Sequence, residues 1–128
     1  MAGRAKSKFW SMHGTHRPTG VRFESGFEKQ FIDQCYMQGI KVARCTVVVP
    51  YVDSEGKVRS YEPDFVWTDF DYVIEIKGAW ALRTNHAWVR EKFLAAQKHF
   101  HGRYTLFTER ELRRGYVADL HRRLVHGD

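Results

Sequence analysis

Between residues 25 and 38 the apolar positions Phe27, Phe31 and Cys35 recur every four residues and Gly39 follows, the spacing of one helical stripe and its stop. Residues 40 to 51 are rich in valine and predict a strand. Asp53-Ser54-Glu55-Gly56 predicts a turn, and residues 57 to 61 return as its hairpin partner. Residues 65 to 67 continue as a strand, residues 68 to 71 turn, and residues 72 to 77 form a strand in which Ile74 and Ile76 alternate with Glu75 and Lys77. A loop over 78 to 84 leads to a helix over 85 to 100, N-capped by Asn85 and carrying Val89, Phe93, Ala96 and Phe100 on one face. Residues 103 to 108 predict a strand, and residues 109 to 125 a helix with Leu112, Tyr116, Leu120 and Leu124 in register. The order α-β-β-β-α-β-α describes an α/β fold, a mixed sheet with helices on its faces.

With 128 residues the chain is long enough for one core, expected over residues 23–128. Residues 1–22 predict a flexible basic arm, punctuated by glycine, serine and proline, in which Phe9 and Trp10 could anchor on a partner. The longest apolar stretch, residues 45 to 52, is interrupted by Pro50 and too short to span a bilayer, and the basic N-terminus lacks the apolar core of a secretory signal. Cys35 and Cys45 lack metal-ligand spacing and predict reduced, buried thiols, so a cytoplasmic location is expected.

The net charge of +6 is concentrated at the two ends. Arg4, Lys6, Lys8, Arg17 and Arg22 precede the first acid, and Arg110, Arg113, Arg114, Arg122 and Arg123 face only Glu111 and Asp119. Residues 24 to 109 carry 11 basic and 12 acidic side chains. Basic flanks around a near-neutral middle suit a polyanion, and nucleic acid is the partner they favour; a solvated basic face is the alternative for the C-terminal helix taken alone.

Candidate chemistry sits in the middle. Tyr61-Glu62-Pro63-Asp64-Phe65 is followed after a short turn by Val73-Ile74-Glu75-Ile76-Lys77, a Pro-Asp…Glu-x-Lys arrangement shared by a large class of metal-dependent nucleases. Strand alternation puts Glu75 and Lys77 on one face, and a hairpin would bring the Asp64 carboxylate beside Glu75. Two carboxylates can hold a hard cation such as Mg2+, and an adjacent ammonium can orient its water and stabilise charge on a phosphate. Glu-x-Lys on a strand is also an ordinary solvated ion pair, but this strand reads as buried, where an unpartnered acid and base are costly. Glu28 has two readings as well. Ser25-x-x-Glu28 is a capping box, and the same carboxylate could reach the metal centre as a third acid.

Taken in series, Glu24-Ser25-Gly26-Phe27-Glu28, Gly39-Ile40-Lys41, Val49-Pro50-Tyr51-Val52, Tyr61-x-Pro63-Asp64-Phe65 and Glu75-Ile76-Lys77-Gly78-Ala79-Trp80 resemble the endonuclease I family of bacteriophage Holliday-junction resolvases. The similarity runs in order from about residue 22 to residue 108, roughly two thirds of the chain. It implies a restriction-endonuclease-like PD-(D/E)XK core and a catalytic set of Glu28, Asp64, Glu75 and Lys77. It further implies Mg2+, with Mn2+ as substitute, held by Asp64, Glu75 and Glu28, and a homodimer that can exchange segments. Arg4, Lys6, Lys8, Arg17, Arg22, Arg83, Arg90, Arg113 and Arg114 are the candidates for DNA contact. The chain departs from the family in its arginine-bearing C-terminal helix, in Asp69 and Asp71 within the turn, and in an uncharged valine strand over 46 to 49.

Two other functions stay open. Phage head-completion nucleases and the subunits that cut transposon ends share the acidic helix, the Pro-Asp-like strand and Glu-x-Lys, and would act on duplex DNA or its ends. A non-catalytic DNA-binding module would keep the acids as structural groups. His99 and His101 are the closest histidine pair, but no cysteine or acid completes a zinc set with them, so zinc is not expected. Trp80 is expected in the core.

Overall fold

The computed structural model describes residues 12–84 and 86–127. Among them the order is β1 (Gly14–His16), β2 (Val21–Phe23), α1 (Gly26–Met37), β3 (Val42–Arg44), β4 (Val49–Val52), β5 (Val58–Tyr61), β6 (Phe65–Trp67) and β7 (Tyr72–Ile76). Then come α2 (Ala79–Thr84), α3 (His86–His99), β8 (Tyr104–Phe107), α4 (Glu109–Arg113) and α5 (Tyr116–His126). The central sheet has the order β3-β6-β7-β8. Its first three strands are antiparallel neighbours, while β8 runs parallel to β7 and is reached through α2 and α3, as a parallel pair requires. The mixed α/β class expected from the sequence is thus present.

Strand alternation sorts the apolar residues into two layers. Phe65, Trp67, Ile74 and Ile76 face α1, α4 and α5, where they meet Phe31, Ile32, Cys35, Leu112, Val117 and Leu120. Val73 and Tyr104 face the other way, against Ala96 of α3 and against Val49, Tyr51 and Tyr61 of the β4–β5 hairpin. Phe31 and Trp67 are fully buried and stack with their rings 4° from parallel. Helix α1 ends where the sequence stops it: Gly39 takes φ 71°, and the Ile40 N–H turns back to the Cys35 carbonyl.

The structure departs from the sequence pattern in several places. Residues 14–22, expected in a flexible arm, form the β1–β2 hairpin with Phe23, because His16 is buried, donates to or accepts from Thr19, and pairs with Asp33 of α1 at 2.7 Å. Residues 1–11 of that arm lie outside the described residues, as does Asn85, the expected helix cap. The single strand expected over 40 to 51 is two, since the Cys45 N–H is drawn to the Asp64 carbonyl and the chain then leaves the central sheet for the β4–β5 hairpin. The loop expected over 78 to 84 contains α2, whose Ala79 N–H is capped by the Glu109 carboxylate. The long C-terminal helix breaks at Gly115, which takes φ 76°. That break resets the register, so Val117 and not Tyr116 is buried with Leu112 and Leu120. Trp80 is 56% exposed on α2 and not in the core.

Candidate active site

The register of β6 against β7 sets Phe65 opposite Ile74, which brings Asp64 alongside Glu75. Two backbone bonds lock the pair: the Asp64 N–H donates to Glu75 Oε1 at 3.0 Å, and the Ile76 N–H donates to Asp64 Oδ2 at 2.9 Å. Each carboxylate therefore has one oxygen pinned to the backbone. Of the second oxygens, Glu75 Oε2 lies 3.7 Å from Lys77 Nζ and Asp64 Oδ1 lies 3.8 Å from Arg44 Nη2. Lys77 keeps strand geometry because its N–H donates to the Phe107 carbonyl. The expected convergence of Asp64, Glu75 and Lys77 is present.

Glu28 enters from the first turn of α1. Its backbone N–H is accepted by the Ser25 hydroxyl at 3.1 Å, which is half of the capping box. The other half is missing, because Glu28 Oε1 accepts from the N–H of Glu24 at 2.9 Å and from Arg44 Nη1 at 2.6 Å. Arg44 thus stands between Glu28 and Asp64. Among the described residues, no group of three or more histidine, cysteine or acidic side chains is arranged to hold a metal ion. The donor set that fits a divalent cation is the Asp64–Glu75 pair: two adjacent hard oxygen ligands, each pre-oriented by an N–H.

Electrostatics point the same way. Burial pushes the Asp64 carboxyl well above the usual carboxylate range, and the charges of Glu75 and Glu28 push it further. Burial also raises Glu75, opposed by the Lys77 ammonium and by a hydrogen bond from Tyr61. The Tyr61 hydroxyl is in turn 2.8 Å from that of Tyr104, and burial next to Glu75 holds both phenols in the neutral form. A cation between the two carboxylates would offset this repulsion.

Two basic residues belong to the site that the motif did not mark. Arg44 is one, signalled in the sequence only as a charge inside a valine-rich strand. Lys92 is the other: its ammonium lies over the Tyr61 ring, 5.2 Å from the centroid, and burial, with Lys77 nearby, brings it down to about 8. Lys92 sits three residues after Val89 and four before Ala96, so the helical stripe itself placed it on the inward face.

The proposed DNA contacts scatter. Arg4, Lys6 and Lys8 lie outside the described residues. Arg17, Arg22, Arg83, Arg90, Arg113 and Arg114 are all exposed. Arg22 adjoins the site, since its carbonyl accepts from Arg44. Arg90 lines a cleft of about 680 Å³ between α2, α3 and β8 together with Arg110, whereas Arg113 lines a separate groove beside Asp33 and Gln34. His99 and His101, not expected to bind zinc, end α3 and its following turn. No described helix is long and apolar enough to cross a membrane. No family model, curated protein or solved structure matches the chain.

The raised Asp64 carboxyl carries a stability consequence. Its folded-state pKa lies above the value of about 3.9 in an unfolded chain, so the charged form disfavours folding. That cost is absent below the unfolded value and fully present above the folded one. In a chelating buffer, Asp64→Asn is therefore expected to melt a few degrees higher than wild type at pH 7 to 8, the gap closing as pH falls toward about 4. Equal melting temperatures at neutral pH in a differential scanning experiment would count against the partly buried, repelled carboxylate.

Proposed function

We propose that this protein is a divalent-metal-dependent endodeoxyribonuclease of restriction-endonuclease-like PD-(D/E)XK fold, which hydrolyses phosphodiesters in four-way and branched DNA as a homodimer. The observation that carries this reading is the pairing of the buried Glu75 with the partly buried Asp64, one oxygen of each fixed by a backbone N–H and Lys77 on the same strand face as Glu75. Asp64 and Glu75 would hold Mg2+, or Mn2+ in its place, and the bound ion supplies Lewis-acid activation of water and charge neutralisation at phosphorus.

The chain's own groups do the rest. Lys77 orients the attacking water through its ammonium and balances the charge of Glu75. Lys92 adds a second ammonium on the same side of the sheet, supported by the aromatic face of Tyr61. Arg17, Arg22, Arg83 and Arg90 hold the phosphate backbone, a contact that reads DNA shape and carries no base sequence. The preference for junctions rests on the resemblance in sequence. The homodimer likewise rests on the resemblance; Val47, Val48, Val52 and Val58, on and beside the β4–β5 hairpin, are exposed apolar residues that such an interface would cover.

The test pairs an immobile four-way junction with a linear duplex matching one arm, in Mg2+ and in a chelator. Paired, symmetric cuts in the junction alone, abolished by the chelator, are the expected result. Equal cutting of both substrates would keep the nuclease and move its task to duplex DNA or DNA ends. Salt-sensitive binding without cutting in Mg2+ or Mn2+ would leave a DNA-binding module.

A further inference from the structure

We infer that Arg44 is a built-in cation shared by Glu28 and Asp64, so that the site takes a single divalent ion, on Asp64 and Glu75. The inference rests on the metal-nuclease reading of the same site and assigns Glu28 a different partner within it.

Arg44 is held from several directions at once. Its Nη1 lies 2.6 Å from Glu28 Oε1 and 3.3 Å from the Arg22 carbonyl. Its Nη2 lies 3.8 Å from both Asp64 Oδ1 and Glu24 Oε2. The guanidinium is also stacked over the Phe65 ring, 4.6 Å from the centroid, a ring that the core holds rigidly against Phe31. Arg44 therefore has an aromatic floor, two hydrogen bonds and two longer charge contacts.

Glu28 is committed to this arrangement. Its side chain is 9% exposed, and the oxygen that faces Arg44 also accepts the Glu24 N–H. To ligate a metal through Oε1 it would have to abandon both bonds, and through either oxygen it would bring a dication against the Arg44 guanidinium, which cannot lose its proton. Geometry at β3 makes the alternative unnecessary. Arg44 is paired with Phe65, so its side chain rises on the α1 face and curls over the ring to meet Asp64 at the end of the sheet. A permanent positive charge is thereby fixed beside Asp64, on the side away from Glu75 and Lys77. Such a charge takes the place that a second ion would fill between Asp64 and the helix acid. In the absence of Arg44, Glu28 and Asp64 would face each other as two bare carboxylates, the arrangement that attracts a divalent ion.

The count of bound ions tests this without reference to cleavage. Mn2+ binding to the purified full-length protein would be followed by electron paramagnetic resonance of the free ion, with no DNA present. Wild type is expected to bind one ion, Glu28→Gln one ion, and Arg44→Met, which keeps the aliphatic stem over Phe65, two. Two ions in wild type, falling to one in Glu28→Gln, would overturn the inference and leave the nuclease reading standing. One ion in both wild type and Arg44→Met would also overturn it. Should Arg44→Met fail to fold, Glu28→Gln decides: loss of the single ion refutes the inference, and its retention supports it. No bound ion in wild type would remove the metal-nuclease reading itself, and the inference with it.

Discussion

Replacing Lys77 by alanine is expected to slow DNA cleavage by about 10³-fold while leaving DNA binding and the fold in place. The size follows from what the ammonium does. It stands 3.7 Å from Glu75 Oε2, on a strand end where the negative charge of an attacked phosphate would develop. Fixed donors at such a position are worth about 10²–10³ in rate, and proton handling about 10²–10⁴. A second effect adds to the first. Lys77 is the main group that opposes the upward push of burial on Glu75, so its loss raises the Glu75 carboxyl further and weakens the cation site. The fold is expected to survive because the bond from Lys77 to Phe107 uses the backbone, and the side chain is one-quarter exposed. Single-turnover rates on a four-way junction, beside a gel-shift titration of the same variant, separate the two quantities. A fall in rate below about tenfold would show that the ammonium is a structural partner of Glu75 and nothing more. Arg83→Ala, at the exposed end of α2, is the control, and is expected to weaken binding and its salt slope with little effect on the bound rate.

The site was legible in the sequence to the extent that strand periodicity governs it. Glu75 and Lys77 sit two residues apart on a strand with isoleucines between, so alternation alone put them on one face, and the short turn after Asp64 set the hairpin register. Arg44 was not legible, because its role depends on β3 pairing with β6 and on the Phe65 ring, a contact between strands distant in sequence. Glu28 was half legible. The Ser25 cap is local and was expected, but the direction of the carboxylate is decided by a charge sixteen positions away in the sequence. The β1–β2 hairpin is not legible for the same kind of reason, since glycine, proline and net charge suggest an arm while the His16–Asp33 pair holds it to α1. In the C-terminal region the periodicity of Leu112, Leu120 and Leu124 overrode a glycine that the backbone uses to start a new helix.

The second large effect links the core to the site. Phe31→Ala is expected to destabilise the protein by about 3–5 kcal/mol, the usual cost of emptying a buried aromatic position. Phe31 is fully buried, with Phe65, Trp67 and Phe107 around it at ring-centroid distances of 5.1, 6.3 and 6.4 Å. Those three rings belong to β6 and β8, so Phe31 is the side chain that seats α1 on the central sheet. Domains of this size hold about 5–15 kcal/mol in total, and the loss would take a large share of it. Urea denaturation followed by tryptophan fluorescence reads the change directly, with Tyr36→Ala, half-exposed on the same helix, as a comparison expected to lose far less. A loss under about 1 kcal/mol for Phe31→Ala would mean that α1 is held by other contacts. The variant also bears on the chemistry. Phe31 supports the Phe65 ring on which Arg44 lies, and α1 carries Glu28, so a loosened helix releases both ends of the Glu28–Arg44 pair. At temperatures where Phe31→Ala remains folded, its Asp64–Glu75 pair should still bind Mn2+, because that pair is fixed by β6–β7 backbone bonds that the helix does not touch.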